Sequence, residues 1–421
     1  MSLKSLIDKP TKLLELIDKY LKPKDIEKKK YGEVFTPLKL VNEMLNKLPK
    51  KVWTNKNLKW FDPASGIGNF LIVIYLRLME GLKNKIPNKN KRKKHILENM
   101  LYMSEINKKN CIIYKQIFDV NNKYKMNIHR GNSLKLNIKK KWNIDGFDII
   151  VGNPPYQITV GKRNSKPIWN LFVIKFIDNL MIDGYLLFVH PSGWRSPCGV
   201  YRDVYDKIMS KNLIYINMND YKKGKDIFDV GTNFDYYLLQ NNKKKQLIKV
   251  IDINDREYNM NFNKWSFIPS GCFKLYEKVL ALNGEKKVNI LHDYSSYETR
   301  KKWMSKTKTN KYKYPCCYTI TSKNNMRCLY SSKKKGHFGI PKIIWSNGLG
   351  TYPFIDKEGK YGLTQFSYAI VDTIKNLKNI EKAMNSKKFL KLMEYGKIDQ
   401  DHKYNYKIIK LFKKDFWKYF L

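Results

Sequence analysis

The chain has 421 residues, enough for two domains with sizeable cores, and its 43% hydrophobic and 14% aromatic content excludes a disordered chain. Lys and Arg number 82 against 37 acidic residues, a formal charge of +45, so a polyanionic partner is expected; coding bias towards Lys adds charge but does not explain why acids stay few. Six cysteines without a Cys-x-x-Cys pair, no apolar run of membrane-spanning length and a charged, not secretory, start (MSLKSLIDKPTKLLELIDKY) argue against a disulfide scaffold, a helical membrane protein and an exported one, so a cytoplasmic protein that contacts no membrane is expected.

In chain order, residues 4 to 21 carry apolar residues at helical spacing and read as one or two short packing helices, a helical extension over 1–30. The segment Tyr31-Gly32-Glu33-Val34-Phe35-Thr36-Pro37 then opens a helix, with Thr36 as N-cap and Pro37 in the first turn. At Trp60-Phe61-Asp62 a short strand ends on an acid, a loop of small residues follows (Pro63, Ala64, Ser65, Gly66, Ile67, Gly68), and an apolar helix begins near Asn69. Small residues let a ligand approach the backbone at the carboxyl end of a strand, and the acid suits a cationic ligand. The loop is neither Gly-x-Gly-x-x-Gly nor a lysine-bearing phosphate loop.

A second strand, Met100 to Ser104, ends at Glu105, where an acid commonly accepts ribose hydroxyls. A third, Ile128-His129, ends in Arg130-Gly131-Asn132-Ser133, and a fourth, Phe147 to Val151, ends in Gly152-Asn153-Pro154-Pro155-Tyr156. The prolines there lock φ and remove donors, leaving carbonyls aimed outward. An Asn carbonyl and a backbone carbonyl can accept both hydrogens of a planar amino group, and Tyr156 offers a face for a flat ring. The plain alternative is a strand-ending turn, since Asn-Pro is a common turn former. Strands at Gly184 to Val189, Leu213 to Met218 and Phe234 to Leu239, with helices at Ile168 to Met181 and Val200 to Met209, complete the alternation. It predicts an α/β, doubly wound, Rossmann-like sheet of seven strands over 31–245.

After Lys243-Lys244-Lys245 the rhythm changes to short apolar runs, aromatics, glycines and lysines, predicting a mixed α/β domain over 246–421. It has a helix at Gly271 to Leu282, strands at Lys342 to Trp345 and Phe366 to Val371, and a basic aromatic helix in the tail YNYKIIKLFKKDFWKYFL. Cys316, Cys317, Cys328 and His337 could be drawn as a zinc site, but adjacent cysteines are poorly placed to share a tetrahedron, so no metal is expected.

The ordered set resembles the gamma-group DNA adenine-N6 methyltransferases of type II restriction-modification, over roughly residues 31 to 240. Gly32 to Pro37 is similar to their N-terminal cofactor motif, Asp62 to Phe70 to their glycine loop, Asn153-Pro154-Pro155-Tyr156 to their catalytic motif, and Ile227-Phe228 with Val230-Gly231-Thr232 to the segment that lines the target-base pocket. The resemblance implies S-adenosyl-L-methionine as cofactor, with Thr36, Pro37, Asp62, Pro63, Ala64, Gly66, Gly68, Glu105, Asn132 and Asn153 around it. It also implies double-stranded DNA as substrate, a target-recognition role for 246–421, and a setting that admits a separately encoded restriction endonuclease. Two positions depart from the family pattern: Asn132 stands where Asp is usual, and Ile67 where a smaller residue is usual.

The chemistry so implied is transfer of a methyl group to adenine N6, with Asn153 and Pro154 carbonyls accepting the amino hydrogens and Tyr156 and Phe228 holding a flipped base. Three other readings are open at this level. The same motif serves methyltransferases of RNA bases and of protein glutamines; a silent DNA binder would tolerate Ile67 and Asn132; and Asp356-Lys357-Glu358-Gly359-Lys360 has a faint nuclease-like carboxylate and lysine spacing, which a surface turn explains better.

Overall fold

The computed structural model describes residues 6–9, 13, 16, 36–160, 164–197, 199–244, 246–323, 325–398 and 403–421. Most of the N-terminal helical extension and the segment Tyr31 to Phe35 therefore lie outside the described residues, although Leu6–Asp8 forms a 3-10 turn and Ile7 and Leu13 are buried. Contacts divide the chain into two compact units: Met1–Trp194 with Val200–Asn263, and Arg195–Gly199 with Lys264–Leu421.

In the first unit, β1 (Trp60–Asp62), β2 (Leu101–Glu105), β3 (Asn127–Arg130) and β4 (Phe147–Gly152) are parallel neighbours. Short strands buried on both faces are what a central parallel sheet requires, and Trp60, Phe61, Ile149, Ile150 and Val151 are all nearly inaccessible. A two-stranded ribbon follows β4: β5 (Gln157–Val160) pairs only with β6 (Asn164–Pro167) among the described residues. β7 (Leu180–Pro191) lies parallel to β4 on the other side, and β8 (Asn212–Asn219) and β9 (Phe234–Gln240) complete the expected seven. β9 inserts between β7 and β8 and runs antiparallel to both.

The sheet does not stop at seven strands. β10 (Ile248–Ile251) adds parallel to β8, and β11 (Glu257–Met260) adds antiparallel to β10, giving the order β11-β10-β8-β9-β7-β4-β1-β2-β3. The boundary expected at 245 therefore falls between two strands of one sheet, β9 and β10, and the first unit continues to Asn263. Val250 and Met260 alternate with exposed Lys249, Glu257 and Asn259, the half-buried pattern of edge strands that the longer apolar runs upstream lack.

The second unit is built around β16 (Lys342–Ser346), flanked by β19 (Ser367–Val371) and β17 (Phe354–Asp356), with β12 (Ile290–Leu291) at the edge. A second sheet has the order β13-β15-β14-β18, from β13 (Met304–Ser305), β14 (Tyr314–Ser322), β15 (Asn325–Ser331) and β18 (Gly362–Leu363). The helices Ile374–Asn385 and Lys387–Tyr395 pack their apolar faces into a core of Tyr276, Trp345, Phe389, Phe412 and Phe416. The expected helix at 271–282 is present as Phe273–Val279, and the expected strands are β16 and β19.

The tail departs from expectation. It forms a single turn of helix, Tyr406–Ile409, and a 3-10 turn, Phe416–Tyr419, joined through isolated bridges Leu280↔Phe412 and Lys287↔Lys413. Ile408, Ile409, Phe412 and Phe416 are fully buried, so the tail closes the core instead of lying on it as an amphipathic helix. Cys317 pairs with Cys328 across β14 and β15, and among the described residues no group of three or more His, Cys, Asp or Glu is arranged to hold a metal ion.

Candidate active site

The site forms where β1 and β4 end side by side. Their register, Trp60↔Ile149 and Phe61↔Ile150, brings Asp62 to the exit of β4. Gly152 has φ +153°, and a Cβ there would lie 2.9 Å from Asp62 Oδ1, so the strand can turn into Asn153 only because the residue is glycine. A cleft is lined by Thr36, Asp62, Ala64, Ser65, Gly66, Ile67, Asn69, Phe70 and Asn153. Five of the residues expected from sequence therefore meet in one place: Thr36, Asp62, Ala64, Gly66 and Asn153.

Asp62 is 1% exposed, and its Oδ1 accepts the Ala64 N–H at 3.1 Å. Burial pushes its carboxyl up to about 8, with the nearby Glu105 adding to the effect, so the ionised form calls for a cationic neighbour. Glu105 takes a different part from a free ligand acid. Its Oε2 accepts the Gly66 N–H at 2.8 Å and its Oε1 the Asn107 N–H at 2.7 Å, which ties the end of β2 to the glycine loop. Ser133 Oγ donates to the Pro63 carbonyl at 2.5 Å and lies 2.6 Å from Ser104 Oγ, linking the ends of β1, β2 and β3.

Asn132 is exposed, and its Oδ1 accepts the Leu134 N–H at 2.9 Å as the cap of the turn Ser133–Lys135. The carbonyl oxygen still has a second lone pair. Gly68, with φ +95°, caps the helix Asn69–Gly81, and a Cβ on it would meet the Tyr114 ring at 2.7 Å, so its smallness serves helix packing. Ile67 is 2% exposed and belongs to the apolar core while bordering the cleft, so its extra bulk is absorbed mainly by packing. The helix after Thr36 begins one residue later than expected: Pro37 is the N-cap of Leu38–Leu45 and carries no side-chain cap bond.

Sequence reasoning passed over Asn69. Its Nδ2 donates to the Thr36 carbonyl at 2.9 Å, holding the entrance of the Leu38–Leu45 helix against the glycine loop, while its buried Oδ1 has no hydrogen-bond partner among the described residues. The signal was present as one polar residue at the head of an otherwise apolar helix, Asn69-Phe70-Leu71-Ile72-Val73-Ile74. A buried acceptor without a donor and a buried carboxyl without a cation among the described residues, together with a glycine loop, fit a ligand that brings donors and positive charge.

Beyond the cleft, Pro154 is buried, and the Tyr156 carbonyl accepts the Ile168 N–H at 3.1 Å, which pins the turn to the helix Trp169–Asp178. Trp169 stacks on the buried His190 with ring centroids 4.6 Å apart. The Tyr156 and Phe228 rings lie 6.5 Å apart at 79°, and Phe228 is buried against Phe234. A flat ring lying on the face of one would meet the other at its edge, not as a parallel sandwich. Burial raises the Tyr156 hydroxyl above its ordinary value, partly offset by its interaction with the Asn153 side chain.

Residues 16–216 match the family model described as N-6 DNA Methylase. An uncharacterized adenine-specific methylase of Mycoplasma pneumoniae is 28% identical over 277 residues, 48% of this chain and 62% of that protein. The chain thus spans less than two thirds of that relative's length. Among solved structures, the type IIL restriction-modification enzyme MmeI in complex with DNA aligns with TM-score 0.51 and 11% identity, over 90% of this chain and 67% of that one. The ATP-dependent type ISP restriction-modification enzyme LlaBIII bound to DNA aligns with TM-score 0.50 and 13% identity, over 98% of this chain and 40% of that one. At such identities these likenesses speak for the fold.

Proposed function

From the match of residues 16–216 to the family model described as N-6 DNA Methylase, we propose that the protein methylates adenine N6 in double-stranded DNA, using S-adenosyl-L-methionine. The observation that carries this reading is the meeting of Asn153 with Asp62, Thr36 and Gly66 in one cleft at the carboxyl ends of β1 and β4.

When bound, the cofactor supplies an electrophilic methyl group. Asp62 and the orphaned Asn69 carbonyl would hold its cationic, donor-bearing end, and Glu105 would support the loop beneath it through Gly66. The adenine amino nitrogen is a poor nucleophile because its lone pair is delocalised. Acceptance of its two hydrogens by the Asn153 side-chain carbonyl and the Pro154 backbone carbonyl favours a tetrahedral nitrogen with its lone pair directed at the methyl group, a matter of positioning and electrostatics. The target base must leave the duplex to reach that turn, and Tyr156 with Phe228 provides an aromatic corner to receive it. The surplus of lysines favours a nucleic acid over a protein glutamine as substrate.

The test is expression in a host that lacks adenine methylation, followed by sequencing of its DNA with detection of modified bases. N6-methyladenine at a defined sequence is expected with the intact protein and not with Asn153→Ala. Unmodified DNA alongside methylated RNA or protein would transfer the activity to another substrate.

A further inference from the structure

None of the chain's 37 acidic residues falls between Thr299 and Ile355, a stretch that carries thirteen Lys and Arg. Coding bias enriches lysine everywhere and does not remove acids from one segment. This stretch builds most of the small sheet β13-β15-β14-β18. One of its cations, Lys342, is buried and paired with Asp356 at 2.8 Å, and Arg300 and Lys301 reach Glu298 at the border of the stretch.

Trp303 gathers three of its lysines. The ammonium groups of Lys335, Lys333 and Lys301 lie 3.9, 5.1 and 5.9 Å from its ring centroid. Three like charges gathered on one ring repel one another, and the ring quadrupole offsets only part of that cost. The arrangement is nevertheless held firmly. Trp303 Nε1 donates to the Ser296 carbonyl at 2.9 Å, and the Ser332 N–H donates to the Trp303 carbonyl at 2.9 Å. Ser331 Oγ donates to the Lys333 carbonyl at 2.8 Å, and the Lys335 N–H donates to the Tyr297 hydroxyl at 2.6 Å. The loop that presents the lysines is therefore preorganised by hydrogen bonds to Trp303, Ser331 and Tyr297.

We infer that this lysine-rich face, centred on Lys301, Lys333 and Lys335 around Trp303 and bordered by Glu298, is the surface by which the second unit grips the phosphate backbone of the DNA duplex. Ammonium groups cover the ring, so it serves as a platform for charge and not for stacked bases, and the contact is one of position without sequence reading. A second basic groove, with Lys286, Lys375 and Lys414 near Trp417, is the weaker candidate because Glu285 and Asp415 line it as well.

The inference rests on the reading of duplex DNA as substrate, and its experiment separates the two. Binding of a labelled duplex by the full chain is measured by anisotropy across a salt series for wild type, for Lys301→Gln/Lys333→Gln/Lys335→Gln, and for Lys286→Gln/Lys375→Gln/Lys414→Gln, with melting curves to verify folding. Each lost phosphate contact removes about 0.9 from the slope of log affinity against log salt, so the first triple variant should be shallower by about 2 to 3 and should lose affinity equally for cognate and unrelated duplexes. The groove variant should keep more of the wild-type slope. A steep wild-type slope left unchanged by the first triple variant overturns the surface assignment alone. A flat wild-type response overturns the DNA reading itself, and a slope change seen with RNA but not with duplex DNA overturns the choice of partner.

Discussion

On the proposed function Asn153 and Asp62 have separable tasks, and single substitutions should show it. Asn153→Ala removes an amino-group acceptor without touching the buried carboxyl, so methyl transfer should fall by at least about a hundredfold, as expected for loss of a transition-state contact, while cofactor affinity stays within a few-fold. Single-turnover kinetics with equilibrium binding would check this; equal losses in both would assign Asn153 to cofactor holding. For Asp62 the sign follows from its raised pKa. Below about pH 8 the folded protein holds a proton there that a cationic ligand must displace. Cofactor affinity should therefore rise by up to about tenfold per pH unit between pH 6 and 8, with proton release visible by calorimetry in buffers of different ionisation enthalpy. Asp62→Asn should abolish that dependence and also raise apo-protein stability at pH 8, because it removes a buried charge.

Most of these residues were legible in the sequence because they stand at strand ends with a recognisable chemical logic. Asn69 was not, since a polar residue at a helix head reads as a cap, and only the structure shows that Gly68 takes the N-cap position and leaves the Asn69 amide to the cleft. Glu105 was found at the right place, but its hydrogen bonds to Gly66 and Asn107 concern three-dimensional closure, which no spacing rule contains.

At the scale of elements, the strands of the large sheet up to β9 were readable as apolar runs, and β10 and β11 were not. β10 and β11 are short and half-exposed, and they follow a lysine run that mimics a linker. The ribbon β5–β6 is largely exposed, so its residues carry no burial pattern to betray it. β14 breaks register near Tyr318 and again near Thr321, which spoils the period-two alternation that would have marked a long hairpin. The tail gives this scale its test. Phe412 is fully buried at a bridge to Leu280, so Phe412→Ala should cost about 3–5 kcal/mol in urea unfolding. A peripheral amphipathic helix would lose under about 1 kcal/mol at the same position.

For the whole molecule, pH acts through buried histidines. His190 and His337 are both held down to about 4 by burial, below the ordinary value for imidazole. The unfolded chain binds protons at these sites that the folded one refuses, so stability should be complete above about pH 6.5 and decline as pH falls from 6.5 towards 4. Asp62 acts in the opposite sense, favouring the fold increasingly as pH falls from 8 towards 4, so it tilts the profile downward between pH 6.5 and 8 and offsets one of the two histidines below pH 6.5. Thermal melts from pH 4.5 to 8.5 would check this, and His190→Phe, which preserves a ring against Trp169, should reduce the acid slope. A profile unchanged by that substitution would show that other groups govern acid stability.

The segment Arg195–Gly199 belongs to the second unit although the chain on both sides belongs to the first, and Arg195 Nη1 donates to the Ile268 carbonyl at 2.8 Å. This has an evolutionary consequence. A protein of this kind cannot exchange its second unit cleanly by one recombination event near residue 263, because five residues of that unit are encoded some two hundred bases upstream of the junction. Natural shuffling of the second unit would favour exchanges that carry both pieces together, and engineered chimaeras would need to move Arg195–Gly199 with Lys264–Leu421 as one inherited block.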